Sequence, residues 1–147
     1  MKDFLEQLFE FDYVANQKWI DAIEEQDLTS FSEIRRQMCH IINVNHLWVN
    51  RLHEKVAISE DWDDLPFYSW RKLTEENFQL TMDFLGNESL DKIVNYTTSE
   101  GEDQQKHAKT ILYHMVQHAT HHRAIINKLL SINQFNPIEL NFIHLND

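Results

Sequence analysis

The sequence predicts an all-α protein, a bundle of four helices, and three observations lead there. Glycine and proline number only two each among 147 residues, a scarcity that suits long helices joined by few turns and argues against a sheet rich in tight hairpins. Apolar residues recur at spacings of three and four along four long stretches, the mark of amphipathic helices. Hydrophobic residues make up 42% and charged residues 25%, the balance of a globular chain with a real core, and the length fits one domain over residues 1–147.

The first helix runs from about Lys2 to Gln26, with Phe4, Leu8, Phe11, Ala15, Trp19, Ala22 and Ile23 as its inward stripe. Ser30-x-x-Glu33 reads as a capping box opening a second helix that carries Ile34, Met38, Ile41, Val44, Trp48 and Leu52, before the segment from Ala57 to Pro66 breaks the pattern. The third begins near Phe67 to Trp70 and stops at Leu85, with Gly86 in the C′ position. Lys92 to Thr98 and the polar Ser99-Glu-Gly-Glu102 then read as a short strand and turn, so an irregular or hairpin segment separates helices 3 and 4. Thr110 is the expected N-cap of the fourth helix, which ends near Ser131 and leaves Asn136-Pro137 to open a tail. Four helices with one interior stripe each pack as a bundle.

Composition excludes several classes of partner. Thirteen basic residues stand against 24 acidic ones, a formal charge of −11, so phosphate backbones and anionic lipid surfaces repel the chain. No apolar run approaches the roughly 20 residues that span a bilayer, and Met-Lys-Asp-Phe-Leu-Glu at the amino terminus has acids where a signal peptide has an apolar core. The single cysteine, Cys39, has no partner for an internal disulfide, so the expected setting is a reducing cytoplasm.

The chemistry concentrates in His114-Met-Val-Gln-His118-Ala-Thr-His121-His122-Arg123, which holds four of the nine histidines. His118 and His122 are four apart, so on a helix their imidazoles project one above the other, the spacing that offers two nitrogens to one metal ion. A seam through Ile111, Met115, His118, His122, Ile125, Leu129 and Ile132 carries both inward. The competing seam through His114, His121 and Lys128 ends on a charge, although His114, four residues before His118, stays open as a ligand. A buried histidine donating to a carbonyl produces the same pattern without a metal.

For a third ligand, helix 2 offers His40, His46 and His53. Leu47 and Val44 lie within about 40° of His40 around the helix and Trp48 about 80° away, which sets His40 inside the apolar arc. His46 and His53 fall near its far edge, where a solvated histidine is expected. Cys39 lies about 100° from His40 and away from the stripe, a packed or partly exposed thiol rather than a co-ligand.

These motifs carry a resemblance. His40-Ile-Ile-Asn-Val-Asn-His-Leu-Trp48 followed by Arg51-Leu52, His118-Ala-Thr-His-His122-Arg123, and Tyr13-Val-Ala-Asn16 on helix 1 together resemble the DinB-like family of bacterial four-helix bundles. That family shows an inward histidine on helix 2, a tryptophan eight residues later and a His-x-x-x-His pair on helix 4. The resemblance implies a divalent metal, nickel or zinc, held by His40, His118 and His122. It departs from the family pattern at Ala124, where glycine is common, and at Asn45 and Asn141, where acids are common. Loss of those acids reduces the expected support for the ligands' second ring nitrogens.

Three histidines with an open coordination position describe a catalytic site better than a structural one, which normally closes with four ligands. Two enzymatic expectations follow, acting on a small-molecule substrate. One is activation of a low-molecular-weight thiol such as bacillithiol or mycothiol for S-transfer, as the resemblance implies; the other is activation of water to hydrolyse an amide or ester. The non-enzymatic expectation is a metal-stabilised stress-response or binding module, in which a fourth ligand such as His114 closes the sphere. Glu75, Glu76, Asp12 and Asp83 are ordinary helix-surface carboxylates, and none is marked as a general base. Trp19, Trp48, Trp62, Trp70 and Phe67 read as core or loop anchors. Each imidazole must be neutral to bind metal, so affinity is expected to fall below about pH 6.5. Relatives pair through helix faces, and Phe78, Met82 and Phe84 spread around helix 3 more widely than one inward stripe requires, so a homodimer is expected.

Overall fold

The computed structural model describes residues 1–144. Four helices, α1 (Lys2–Glu25), α2 (Ser32–Leu52), α3 (Trp70–Asn87) and α4 (Ala108–Ile132), form the bundle, with a 3-10 turn at Phe67–Ser69 leading into α3 and another at Phe142–His144. The segment between α3 and α4 is an antiparallel hairpin of β1 (Ile93–Thr97) and β2 (Asp103–His107), with Ile93 opposite His107 and Thr97 opposite Asp103. Its turn contains Gly101 at φ 84°, a left-handed conformation that a side chain adopts only at a cost. The second strand, Asp-Gln-Gln-Lys-His, has no apolar alternation for the sequence to show.

With so few glycines, the helices end on other residues. Asp27, Glu54 and Gln134 take positive φ after α1, α2 and α4. In each case the next amide reaches back five residues, Leu28 to the Ile23 carbonyl, Lys55 to Asn50 and Phe135 to Leu130, all at 2.8 Å, the Schellman pattern that satisfies the last carbonyls. Gly86 does not serve as a cap: α3 continues through it to Asn87, and Glu88 turns extended. The two expected N-caps also move. Helix α2 starts from Phe31 without a side-chain cap, leaving Ser30 outside and Glu33 in the first turn. Thr110 lies inside α4, whose N-cap is His107. There the Ala108 and Lys109 amides donate to the Lys92 and Leu90 carbonyls at 2.9 and 3.0 Å, so the chain entering the hairpin does the work of a capping side chain.

The buried face of α1 runs through Leu5, Phe9, Asp12, Ala15, Asn16, Trp19, Ile20 and Ile23. The amino-terminal half of the expected stripe is therefore one residue out of phase, and Phe4 is exposed. On α4 the buried face is Ile111, Leu112, Met115, Val116, Ala119, Arg123, Ile126 and Leu130. His118 and His122 flank that face, half-buried, and Ile132 is exposed.

Both shifts have one cause, a polar layer across the middle of the bundle. One apolar cluster gathers Trp19, Ile20, Ile23, Ile34, Met38, Trp70, Ile126 and Leu130; the other gathers Leu5, Phe9, Val49, Leu52, Phe84, Leu85, Leu112 and Met115. On each helix the polar residues fall between them: Asp12 and Asn16 on α1, Asn45 on α2, Thr74 and Asn77 on α3, and Arg123 on α4, all buried. Arg123 Nη1 donates to Asp12 Oδ1 and to Asn16 Oδ1, both at 2.7 Å, and Asn16 Nδ2 donates to Asp12 Oδ2 at 3.2 Å. Asp12 is thus an interior ion-pair partner, not a surface carboxylate, whereas Glu75, Glu76 and Asp83 lie on the exposed face of α3 as expected.

Two further features bear on surfaces. The tail folds back on the bundle, with the Asn127 amide paired to the Ile138 backbone at 2.8 and 2.9 Å and Ile138 buried. The apolar residues of α3 that suggested a pairing face are largely covered within the chain, because Phe84 is fully buried and Phe78 stacks on Tyr13 at 4.5 Å between ring centroids.

Removing one partner of a buried ion pair leaves the other charge uncompensated. Asp12→Ala is therefore expected to cost about 3–5 kcal/mol in urea-induced unfolding, whereas Glu75→Ala, on the exposed face, should stay within about 0.5 kcal/mol of the parent. Equal effects from the two would show that the pair does not organise the bundle.

Candidate metal centre

The side chains of His40 on α2 and His118 and His122 on α4 meet where the two helices pack. One ring nitrogen from each of the three lies within 4.8 Å of the others, a grouping that can hold a metal ion. The inward phase of α2 buries His40, while the two α4 histidines, one turn apart at the edge of the buried face, are half-buried.

Hydrogen bonds set which nitrogen each ring presents. His40 Nδ1–H donates to the Asp61 backbone carbonyl at 2.7 Å, which leaves Nε2 as the unprotonated nitrogen, facing His118. His122 Nδ1–H donates to Gln37 Oε1 at 2.6 Å, with the same consequence. His118 Nε2–H donates to His40 Nε2 at 3.0 Å in the absence of an ion, and its Nδ1 is buried without a partner within the protein. Two of the three rings thus have the outer hydrogen bond that orients metal-binding histidines.

The arrangement fits a transition metal. Two nitrogens bound to one ion at about 2.0–2.1 Å stand about 2.8–3.4 Å apart for angles between square and tetrahedral, and the 3.0 Å spacing of His40 and His118 already meets this. The third nitrogen, within 4.8 Å of the others, has to draw in by up to roughly 1.5 Å to reach the same spacing. Three neutral imidazoles form a donor set suited to zinc or nickel and poorly suited to hard oxygen-seeking cations.

Protonation states agree. Burial, then the neighbouring His122 and His40 rings, push His118 down to about 3. Burial followed by repulsion from His40 and His121 pushes His122 down to about 4. Burial also lowers His40, against the opposing pull of its bond to the Asp61 carbonyl.

The Asp61 carbonyl is held in place by a loop fastened along one face of α2. Arg35 Nε and Nη2 donate to the Asp64 carboxylate at 2.6 and 3.0 Å, the Leu65 amide donates to Cys39 Sγ at 3.4 Å, Asn43 Nδ2 donates to the Asp63 carbonyl at 2.8 Å, and His46 Nε2 accepts the Ile58 amide at 3.2 Å. These residues stand at intervals of four, four and three, so they line one side of the helix. Trp62, carried by the same loop, stacks on His40 with centroids 3.6 Å apart and planes 7° from parallel, and Arg36 lies over Trp62 at 4.4 Å.

The sequence therefore nominated the three histidines that converge, and it missed Gln37, the Asp61 carbonyl and the stacking of Trp62. Gln37 was within reach, one turn before His40 on the same helix; a loop carbonyl leaves no trace in residue identity. His46 and His53 are not solvated. Both are half-buried, His46 on the loop and His53 against the Leu80 carbonyl at 2.8 Å. Cys39 is buried, and burial raises its thiol. His114 is exposed, its ring 5.8 Å from that of His118 and edge-on to Trp48, and it does not join the convergent group; His121 is exposed as well.

The lowered values carry a pH signature. As pH falls through about 6.5 the unfolded chain takes up protons on these histidines, while folded His122 and His118 do not until about 4 and 3. The unfolded state then binds more protons, so the metal-free protein is fully stabilised above about 6.5 and loses stability progressively as pH drops toward 3. Denaturant titrations at several pH values should show this acid limb flattened in His118→Asn/His122→Asn. An unchanged limb would mean the two rings are not held neutral.

A family model described as the DinB family matches residues 1–131. No curated relative matches the chain. The matched span takes in all four α-helices but for the last residue of α4, together with the three convergent histidines. The chain belongs to the DinB family.

Proposed function

We propose that this protein is a metal-dependent enzyme in which His40, His118 and His122 bind one divalent ion, zinc or nickel, and that its reaction is transfer of a low-molecular-weight thiol, of the bacillithiol type, to a small electrophilic substrate. The observation that carries the reading is the convergence of three neutral imidazoles, two with the second ring nitrogen held by a protein oxygen. Bound there, the ion supplies Lewis acidity that lowers the pKa of a thiol or of water at neutral pH.

The residues around the histidines favour the thiol over water. Hydrolysis needs a group to take and return a proton; the neighbouring oxygens are an amide and a backbone carbonyl, Gln37 and Asp61, which do neither, and the nearby imidazoles of His114 and His121 are exposed and stand outside the convergent group. Asp12 is committed to Arg123, and Glu75, Glu76 and Asp83 lie on the exposed face of α3. A thiol, with an ordinary pKa near 8.5, needs only the electrostatic assistance that an ion held by neutral ligands gives. Among the described residues, the convergent group contains three histidines and no fourth histidine, cysteine or carboxylate, which supports an exchangeable position. The stacked Trp62 and Arg36 form one wall beside His40 and keep water from that side of the ring.

A cytoplasmic setting belongs to the same proposal, and so does a homodimer, which has to pair through a face other than the covered apolar side of α3. Cys39 is a buried free thiol, and among the described residues no helix is long and apolar enough to cross a membrane. Light scattering at micromolar concentration should report twice the 17.7 kDa chain mass; the chain mass itself would reject pairing.

Metal content tests the ligand set. His40→Ala, His118→Ala and His122→Ala should each abolish stoichiometric zinc or nickel measured by mass spectrometry, while His46→Ala and His53→Ala retain it. Gln37→Leu, which removes the acceptor for His122 Nδ1–H, should weaken metal by about 10–100-fold in chelator competition. Full occupancy in His40→Ala would remove the third ligand. A metal-loaded protein whose cobalt spectrum ignores every added thiol would have a closed sphere, and the enzyme reading would give way to a metal-stabilised binding module.

A further inference from the structure

The polar layer between the two apolar clusters contains a cavity of about 20 Å³, whose lining includes Asp12, Asn16, Asn45, Thr74, Asn77 and Thr81. We propose that this cavity is a binding site for a single water molecule, held by Asn45 Oδ1 from α2 and by Thr74 Oγ1 and Asn77 Oδ1 from α3. The three atoms have no hydrogen-bond partner within the protein, and their residues are only 8%, 5% and 5% exposed. Buried polar atoms are almost always partnered, so three bare ones around one cavity point to a common ligand.

Size and valence select water. A cavity of about 10–15 Å³ admits one molecule, and this one offers little more. The Asn77 amide nitrogen donates to the Ile42 carbonyl at 3.0 Å, which fixes the other end of that amide as an acceptor. A water molecule donates its two hydrogens to the two asparagine oxygens and accepts the Thr74 hydroxyl, making the three bonds typical of internal water. Asp12 and Thr81, also in the lining, are already engaged: Asn16 and Arg123 hold Asp12, and the Thr81 hydroxyl donates to the Asn77 carbonyl at 2.8 Å. A monovalent cation is disfavoured, because the Arg123 guanidinium 2.7 Å from Asp12 neutralises the one carboxylate nearby and three uncharged oxygens do not replace a hydration shell. The water joins α2 to α3 beside the ion pair that joins α1 to α4, so the polar layer closes across all four helices. This inference is independent of the metal.

A crystal structure at about 1.8 Å or better should show density within about 2.7–3.2 Å of all three atoms, the same in sodium and in potassium buffers. An empty cavity, or a peak with contacts near 2.4 Å that follows the cation, would overturn the proposal. Thr74→Val provides a second test, because Thr74 Oγ1 makes no other hydrogen bond and valine keeps the shape. Losing the water's donor should lower Tm by about 2–4 °C. A Tm equal to or above that of the parent would mean that the cavity is dry.

Discussion

Three imidazoles gathered in one half-buried seam cannot all carry a proton. Desolvation penalises each charge and each charged ring repels its neighbours, which is why His118 and His122 fall to about 3 and 4. Neutrality is thus imposed by packing α2 against α4, and it brings one nitrogen of each ring toward a common point without a charge on any of them. The Asp61 carbonyl and Gln37 then choose which nitrogen of His40 and His122 is free. That choice comes from a loop and from a neighbouring turn of α2. Cys39 and His46, which sit beside the site in sequence, help to fasten the loop.

The seam in turn rests on the polar layer. Arg123 follows His122 directly in the sequence, and its guanidinium is bound to Asp12 and Asn16 in the interior. With Arg123 directed inward, the rotation of α4 about its own axis is set, and His118 and His122 are left at the edge of the buried face, turned toward α2. An apolar side chain at position 123 would bury as much surface without fixing that rotation. The pair offers little net stability over a hydrophobic substitute; its contribution is orientation.

Much of this was legible in the sequence because it depends on spacing. The number and extent of the helices follow from apolar periodicity and the scarcity of glycine and proline, and the His-x-x-x-His pair with His40 follows from the phase of two helices. What spacing alone could not supply depends on partners distant in sequence. Asp12 and Asn16 look like surface residues until Arg123, more than 100 positions away, is placed beside them, and choosing apolar residues in their stead put the start of the α1 stripe one residue out. Thr110 looked like an N-cap because the carbonyls of Lys92 and Leu90, which satisfy the first amides of α4, belong to the far side of a hairpin. The role of Trp62 depended on a loop whose course is set by four side chains of α2.

The proposed centre is defined by the set of atoms that holds the ion. X-ray absorption at the metal edge of zinc- or nickel-loaded protein reads that set directly. Three imidazole nitrogens at about 2.0–2.1 Å, with outer-shell scattering from three rings and a light atom in the remaining position, is the predicted result. A sulfur shell near 2.3 Å in the absence of added thiol would place Cys39 on the metal, and a fourth imidazole would place His114 there; either contradicts the proposed centre.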